Sequence, residues 1–130
     1  MKLTTTKEIG DFGERIAARY LIRHGYFIRA RNWRAGKDEL DIVATTLRDV
    51  VFIEVKTRSY SEKEIDTAPP PGCAVHTQKQ KHTRACAAQY LREHPTRKQP
   101  RMDVIEIWLS KEPNGKRPRL LRLHHIKAAY

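Results

Sequence analysis

Two carboxylates and a lysine are the first residues whose types and spacing suggest chemistry. Asp41 lies in the run Glu39 to Thr46, and Glu54 and Lys56 lie in the run Val50 to Lys56. Both runs are rich in β-branched and aromatic residues and read as strands. The short connection from Thr46 to Asp49 makes them an antiparallel hairpin, with Asp41 and Glu54 on nearly opposite rungs. Side chains alternate along a strand, so Val50, Phe52, Glu54 and Lys56 share one face, and Val51, Ile53 and Val55 share the other. Like charges across a ladder are unfavourable without a counter-ion, so the pair calls for a cation.

Phosphodiester hydrolysis needs that arrangement. A carboxylate-held hard cation activates a water, shields the transition state and stabilises the leaving alkoxide. Mg2+ suits the role, with Mn2+ as a substitute ion. It takes oxygen ligands and keeps several waters, so Asp41, Glu54, the Val55 backbone carbonyl and a phosphate oxygen suffice. The Lys56 ammonium reads as charge stabilisation at the phosphate rather than as a general base. Taken alone, an acid two residues before a lysine is more often a surface salt pair; the surrounding elements decide.

From Thr5 to His24, Ile9, Phe12, Ile16, Ala17, Tyr20 and Leu21 recur at helical spacing, with Thr5 and Glu8 at capping-box spacing and Gly25 placed to end the helix. Glu14 aligns with Gly10, Ala17 and Leu21 at the margin of that stripe. Tyr26 to Trp33 reads as a strand, so three adjacent strands suggest a meander. Residues 59 to 72 include Pro69-Pro70-Pro71-Gly72 and read as a mobile loop. Thr77 to His94 reads as a helix with Ala85, Ala88, Tyr90 and Leu91 inward. Gln78, Lys79, Lys81, His82 and Arg84 crowd its start, against the helix dipole unless a phosphate sits nearby. Met102 to Leu109 and Leu120 to His124 are two further strands, joined through Pro113-Asn114-Gly115, and Ile126 to Tyr130 is a closing turn.

The 130 residues fit one domain, 1–130. Lys and Arg outnumber Asp and Glu by 26 to 15, a formal charge of +11 that favours polyanions and makes nucleic acid the leading partner. No apolar run approaches the ~18 residues of a spanning helix, and the N-terminus does not read as a signal peptide, so a cytoplasmic protein with no membrane partner is expected. Cys73 and Cys86 form neither a C-x-x-C pair nor a zinc pattern and read as free thiols. His124 and His125 are adjacent and would point to opposite strand faces, His24, His76, His82 and His94 show no ligand spacing with a nearby acid, and no zinc site is expected. Trp33 reads as core rather than as a base-stacking residue.

Several motifs together resemble a known family. Gly10-x-x-Gly13-Glu14, Arg31-Asn32-Trp33-Arg34, Glu39-Leu40-Asp41-Ile42-Val43-Ala44 and Val51-Phe52-Ile53-Glu54-Val55-Lys56-Thr57-Arg58 look like the bacterial YraN-like proteins, UPF0102, and Lys79-Gln80 and Arg101-x-Asp103-Val104 extend the match. That family is similar to archaeal Holliday-junction resolvases and PD-(D/E)XK nucleases. The resemblance implies an α/β, restriction-endonuclease-like fold, a central mixed sheet of about five strands flanked by helices. It implies a catalytic set of Glu14, Asp41, Glu54 and Lys56, and nucleic-acid contacts from Arg34, Arg58, Lys79, Gln80 and Arg101. Structural pairing of Arg101 with Asp103 is the alternative for that arginine, and a salt bridge to a nearby arginine is the alternative for Glu14. Asp38 departs from the family, which usually has glycine there. The resolvase likeness also implies a homodimer. The function so implied is a metal-dependent endonuclease acting on DNA, branched DNA included; the competing reading is a non-catalytic DNA- or RNA-binding module that keeps the nuclease fold.

Overall fold

The computed structural model describes residues 5–61, 63–64, 77–112 and 117–130. The chain opens with helix α1 (Thr6–Arg23), followed by strands β1 (Phe27–Ala35), β2 (Asp38–Thr45) and β3 (Asp49–Tyr60), helix α2 (Thr77–Glu93), and strands β4 (Gln99–Ser110) and β5 (Leu120–Ile126). The five strands form one sheet in the order β1-β2-β3-β4-β5. Pairing is antiparallel except between β3 and β4, which run parallel from Asp49↔Gln99 to Tyr60↔Ser110. The mixed sheet and the β1-β2-β3 meander agree with the sequence expectation.

The start of α1 is set by a complete capping box. The Thr5 hydroxyl accepts from the Glu8 N–H, and the Glu8 carboxylate accepts from the Thr5 N–H. Its end is set by Gly25, at φ +86°, a conformation that glycine adopts without steric cost. Phe12, Ala17, Ala18 and Leu21 pack onto Ile42, Val51, Ile53, Ile105, Ile107 and Leu109, which forms the core on one face of the sheet. Gly13 permits this approach: a Cβ there would meet Thr57 Oγ1 at 2.0 Å.

Helix α2 covers the other face, where Cys86, Ala87 and Tyr90 pack against Leu40, Val43, Val50, Phe52 and Met102. Its inward stripe is Thr83, Cys86, Ala87 and Tyr90. Ala85 and Ala88 are exposed, which corrects the expectation that both point inward; Leu91 is partly buried. Trp33 belongs to this core, edge-on to Tyr90 at a centroid distance of 5.2 Å. Each large apolar side chain fully buried in these layers stabilises the fold by about 1.5–3 kcal/mol before entropic costs.

Strand β3 extends four residues past Lys56, so Ser59 and Tyr60 of the expected loop are strand, held by rungs to Leu109 and Ser110. Residues 62 and 65–72 of the expected loop lie outside the described residues, as do Cys73 and Pro113-Asn114-Gly115. Cys86 is a buried free thiol. Among the described residues, no helix is long and apolar enough to cross a membrane.

Candidate active site

Strands β2 and β3 part at the level of Asp41. Their last paired rung is Ile42↔Ile53, and beyond it the Asp41 carboxylate bridges the gap, its Oδ2 accepting from the Val55 N–H at 2.9 Å. Alternation along β3 turns Glu54 toward the α2 face, where it is 5% exposed. Glu54 Oε1 lies 3.0 Å from Lys56 Nζ and 3.6 Å from Lys79 Nζ. Glu54 Oε2 is buried and has no hydrogen-bond partner. A narrow cavity lined by Asp41, Glu54, Lys79 and Thr83 marks this point.

Burial dominates the electrostatics of the site. Burial pushes the Asp41 carboxyl up to about 6; the Val55 N–H opposes that rise, and the neighbouring Glu54 charge adds to it. Glu14, on α1, is pushed up to about 7 by burial, then by Asp41 and Asp11, against the pull of Arg31. Leaving a buried carboxylate oxygen without a partner costs more than an ordinary unmade hydrogen bond. The two lysines at Glu54 Oε1 do not reach Oε2. Asp41 and Glu54 are therefore oxygen donors of the kind that a hard divalent cation takes. Among the described residues, no group of three or more His, Cys, Asp or Glu is arranged to hold a metal ion.

On the α1 side, a second, open cleft is lined by Lys7, Gly10, Asp11, Glu14, Asn32 and Glu39. The Asn32 side chain sits between two carboxylates. In the amide orientation that satisfies both, its nitrogen donates to Glu14 Oε1 at 2.9 Å and to Glu39 Oε1 at 2.7 Å. Asn32 has φ +50° within β1, between the rungs Arg31↔Ile42 and Trp33↔Leu40.

The residues expected to contact nucleic acid fall in different places. Lys79 joins Glu54 at the acid site, and Gln80 is half-buried in the first turn of α2. Arg58 is exposed on β3, two residues beyond Lys56 on the same face. Arg34 is exposed, 3.4 Å from Glu39. Arg101 stands apart, on the opposite face of the sheet. It grips Asp103 through Nε and Nη2 at 2.9 and 2.8 Å, reaches Asp49 at 3.0 Å and donates to the Tyr26 hydroxyl at 2.8 Å. The pairing of Arg101 with Asp103, the alternative weighed from sequence, is thus present.

Three of the histidines have acid partners that spacing along the chain does not bring out. The β4–β5 register brings His125 Nε2 within 2.6 Å of the fully buried Asp103, and His124 Nδ1 within 3.1 Å of Glu106; His82 lies 3.3 Å from Asp38. Burial opposes ionisation of Asp103, but His125, Arg101 and the Ala128 N–H together hold it below the usual carboxylate range. Asn32 and the reach of Lys79 also escaped the sequence reading. The signal for Asn32 is its place between Arg31 and Trp33 in a strand, where a residue that tolerates positive φ is out of pattern.

A mixed five-stranded sheet with a helix on each face, and an acidic pair where two antiparallel strands diverge, defines an α/β protein of restriction-endonuclease-like fold. The chain belongs to the uncharacterised protein family UPF0102, whose family model matches residues 13–107. It is 39% identical over 122 residues to a UPF0102 protein of Bacteroides fragilis, covering 94% of this chain and 91% of the relative. A UPF0102 protein of Chlorobium phaeobacteroides is 40% identical over 124 residues, covering 95% and 94% of the two chains. One of Caldanaerobacter subterraneus is 34% identical over 131 residues and covers the whole of both. The matched region includes Glu14, Asp41, Glu54, Lys56 and Lys79.

Proposed function

We propose that the protein is a divalent-metal-dependent endonuclease that hydrolyses phosphodiester bonds in DNA, branched DNA included. The observation that carries this reading is Glu54 Oε2, a buried carboxylate oxygen with no partner, at the end of the β2–β3 ladder that Asp41 closes. A purely structural acid at that depth would have both oxygens satisfied. Asp41, Glu54 and the Val55 carbonyl would hold Mg2+, or Mn2+ in its place. Bound there, the ion supplies a Lewis acid and a water acidic enough to ionise near neutral pH.

The chain's own residues do the rest. Lys56 lies 3.0 Å from Glu54 Oε1, and in this reading its ammonium neutralises charge that builds on a phosphate oxygen. Glu14 exchanges its proton near neutral pH because burial and Asp41 raise its carboxyl to about 7, and this suits it to accept or return a proton at the reacting water. Arg58, Lys79 and the overall excess of Lys and Arg bind backbone phosphates without reading sequence.

The test is cleavage of labelled duplex, single-stranded, flap and four-way-junction DNA by purified protein with Mg2+ or Mn2+, beside Asp41→Asn prepared identically. Metal-dependent cutting by the parent, reduced about a hundredfold or more in the variant, is expected. Equal cutting by both, or salt-sensitive binding with no cutting by either, overturns the reading; the second result would establish a binding module instead.

A further inference from the structure

We infer that Asn32 is a positioning residue of this site: its carboxamide clamps Glu14 of α1 to Glu39 of β2 and so fixes the Glu14 carboxylate at the acid cleft. The inference deepens the endonuclease reading and rests on the role given there to Glu14.

The argument begins with the backbone. Asn32 sits within β1 at φ +50°, between the paired rungs Arg31↔Ile42 and Trp33↔Leu40. Residues with a side chain rarely adopt that conformation, and asparagine is among the few that tolerate it. A strained position persists when its surroundings enforce it, and such positions cluster at functional sites. The surroundings here are two carboxylates from different elements.

One amide nitrogen carries two N–H groups, and each finds an acceptor: Glu14 Oε1 at 2.9 Å and Glu39 Oε1 at 2.7 Å. An amide N–H can donate to a carboxyl oxygen whether or not that acid is ionised. The residue type follows from both requirements together. Glycine would accept the backbone angle but offers no donor, and aspartate would accept it but adds a third negative charge. A lysine or arginine would neutralise the acids but is unsuited to the angle.

The clamp has a clear purpose. Glu14 projects from a helix margin into an open cleft, where a glutamate side chain has several rotamers available. Its charged neighbours there are Lys7 and Asp11 of its own helix, Arg31 and Arg34 of β1, and Glu39 and Asp41 of β2. The three acids repel a carboxylate; Lys7 is paired with Asp11 and Arg34 with Glu39, and Arg31 draws Glu14 away from the acids. Without a donor between them, Glu14 and Glu39 would separate and Glu14 would turn to solvent or to Arg31. Asn32 holds it within electrostatic reach of Asp41.

Asn32→Gly and Asn32→Asp test this, because both tolerate the backbone angle and neither donates. Melting curves establish that each is folded. The three-bond couplings of the Glu14 side chain, measured by NMR on the metal-free protein, report whether one rotamer or several are populated. The expected result is a single Glu14 rotamer in the parent and averaged couplings in both variants. With DNA and Mg2+, kcat is expected to fall about tenfold or more while KM changes by less than about twofold, the mark of a lost alignment rather than lost binding. Unchanged Glu14 couplings in folded Asn32→Gly would overturn the inference, as would a kcat that falls only with the folded fraction. A parent that cuts no DNA would refute the endonuclease reading, while the couplings alone would still decide whether Asn32 clamps Glu14.

Discussion

Asp41→Asn should stabilise the metal-free protein above neutral pH. In the folded chain the Asp41 carboxyl is pushed from its ordinary 3.8 up to about 6, chiefly by burial. A raised carboxyl pKa means that the fold prefers the protonated acid. Stability from this group is therefore fully present below pH 3.8 and is lost as pH rises through about 6. The shift is about two pH units, and at 1.36 kcal/mol per unit the ceiling is about 3 kcal/mol. Asparagine is neutral at every pH and keeps a carbonyl oxygen for the Val55 N–H, but that bond is weaker by about 1 kcal/mol. After a further discount for solvent screening, the expected gain at pH 8 is about 1–2 kcal/mol, roughly 3–8 °C in melting midpoint for a chain of this size. The assay is thermal or urea unfolding of parent and variant in chelator between pH 4 and 8. The difference should be near zero at pH 4 and grow across pH 4–6. Added Mg2+ should then raise the parent's stability and leave the variant's unchanged, since only a ligand of the folded state stabilises it. A variant no more stable than the parent at pH 8 would refute the argument that burying an ionised Asp41 costs the metal-free fold stability.

Two further outcomes concern the frame around the site. Gly13→Ala places a Cβ at 2.0 Å from Thr57 Oγ1, so it should cost about 1–3 kcal/mol in urea unfolding, and Thr57→Ala in the same chain should restore part of the loss. Asp103→Ala removes the acid shared by Arg101 and His125 and should cost about 3–5 kcal/mol at pH 7. Because Asp103 is held below its ordinary range when folded, its contribution is present above pH 3.8 and lost on acidification. The difference between parent and Asp103→Ala should shrink as pH falls below 4.

The parts of the molecule that were legible in sequence are those governed by local chemistry. Thr5, Glu8 and Gly25 bound α1 through bonds that span three or four residues. The short turn fixes the hairpin register as far as Ile42↔Ile53, but the ladder ends there, and Asp41 and Glu54 line one cavity beyond the last rung, where the strands part, rather than facing each other on a rung. Helix α2 was misread in rotation because its inward stripe of Thr83, Cys86, Ala87 and Tyr90 is barely more apolar than the Ala85 and Ala88 beside it. Periodicity gives little contrast among small residues. The extension of β3 to Tyr60 depends on β4, a partner fifty positions away. The contacts of His125 with Asp103 and of Asn32 with Glu14 depend on strand register and helix placement, which spacing alone does not encode.

The parallel pairing of β3 with β4 also sets when the acid site takes shape. Each of its rungs, from Asp49↔Gln99 to Tyr60↔Ser110, joins positions fifty apart, and the intervening chain must close before the first rung forms. Pairing of this kind raises contact order and slows folding. On the ribosome, Glu54 and Lys56 emerge well before β4, the strand that seats β3 in the sheet. A nascent chain therefore carries the acids and the lysine but not the buried geometry that leaves Glu54 Oε2 without a partner, which belongs to the finished chain alone.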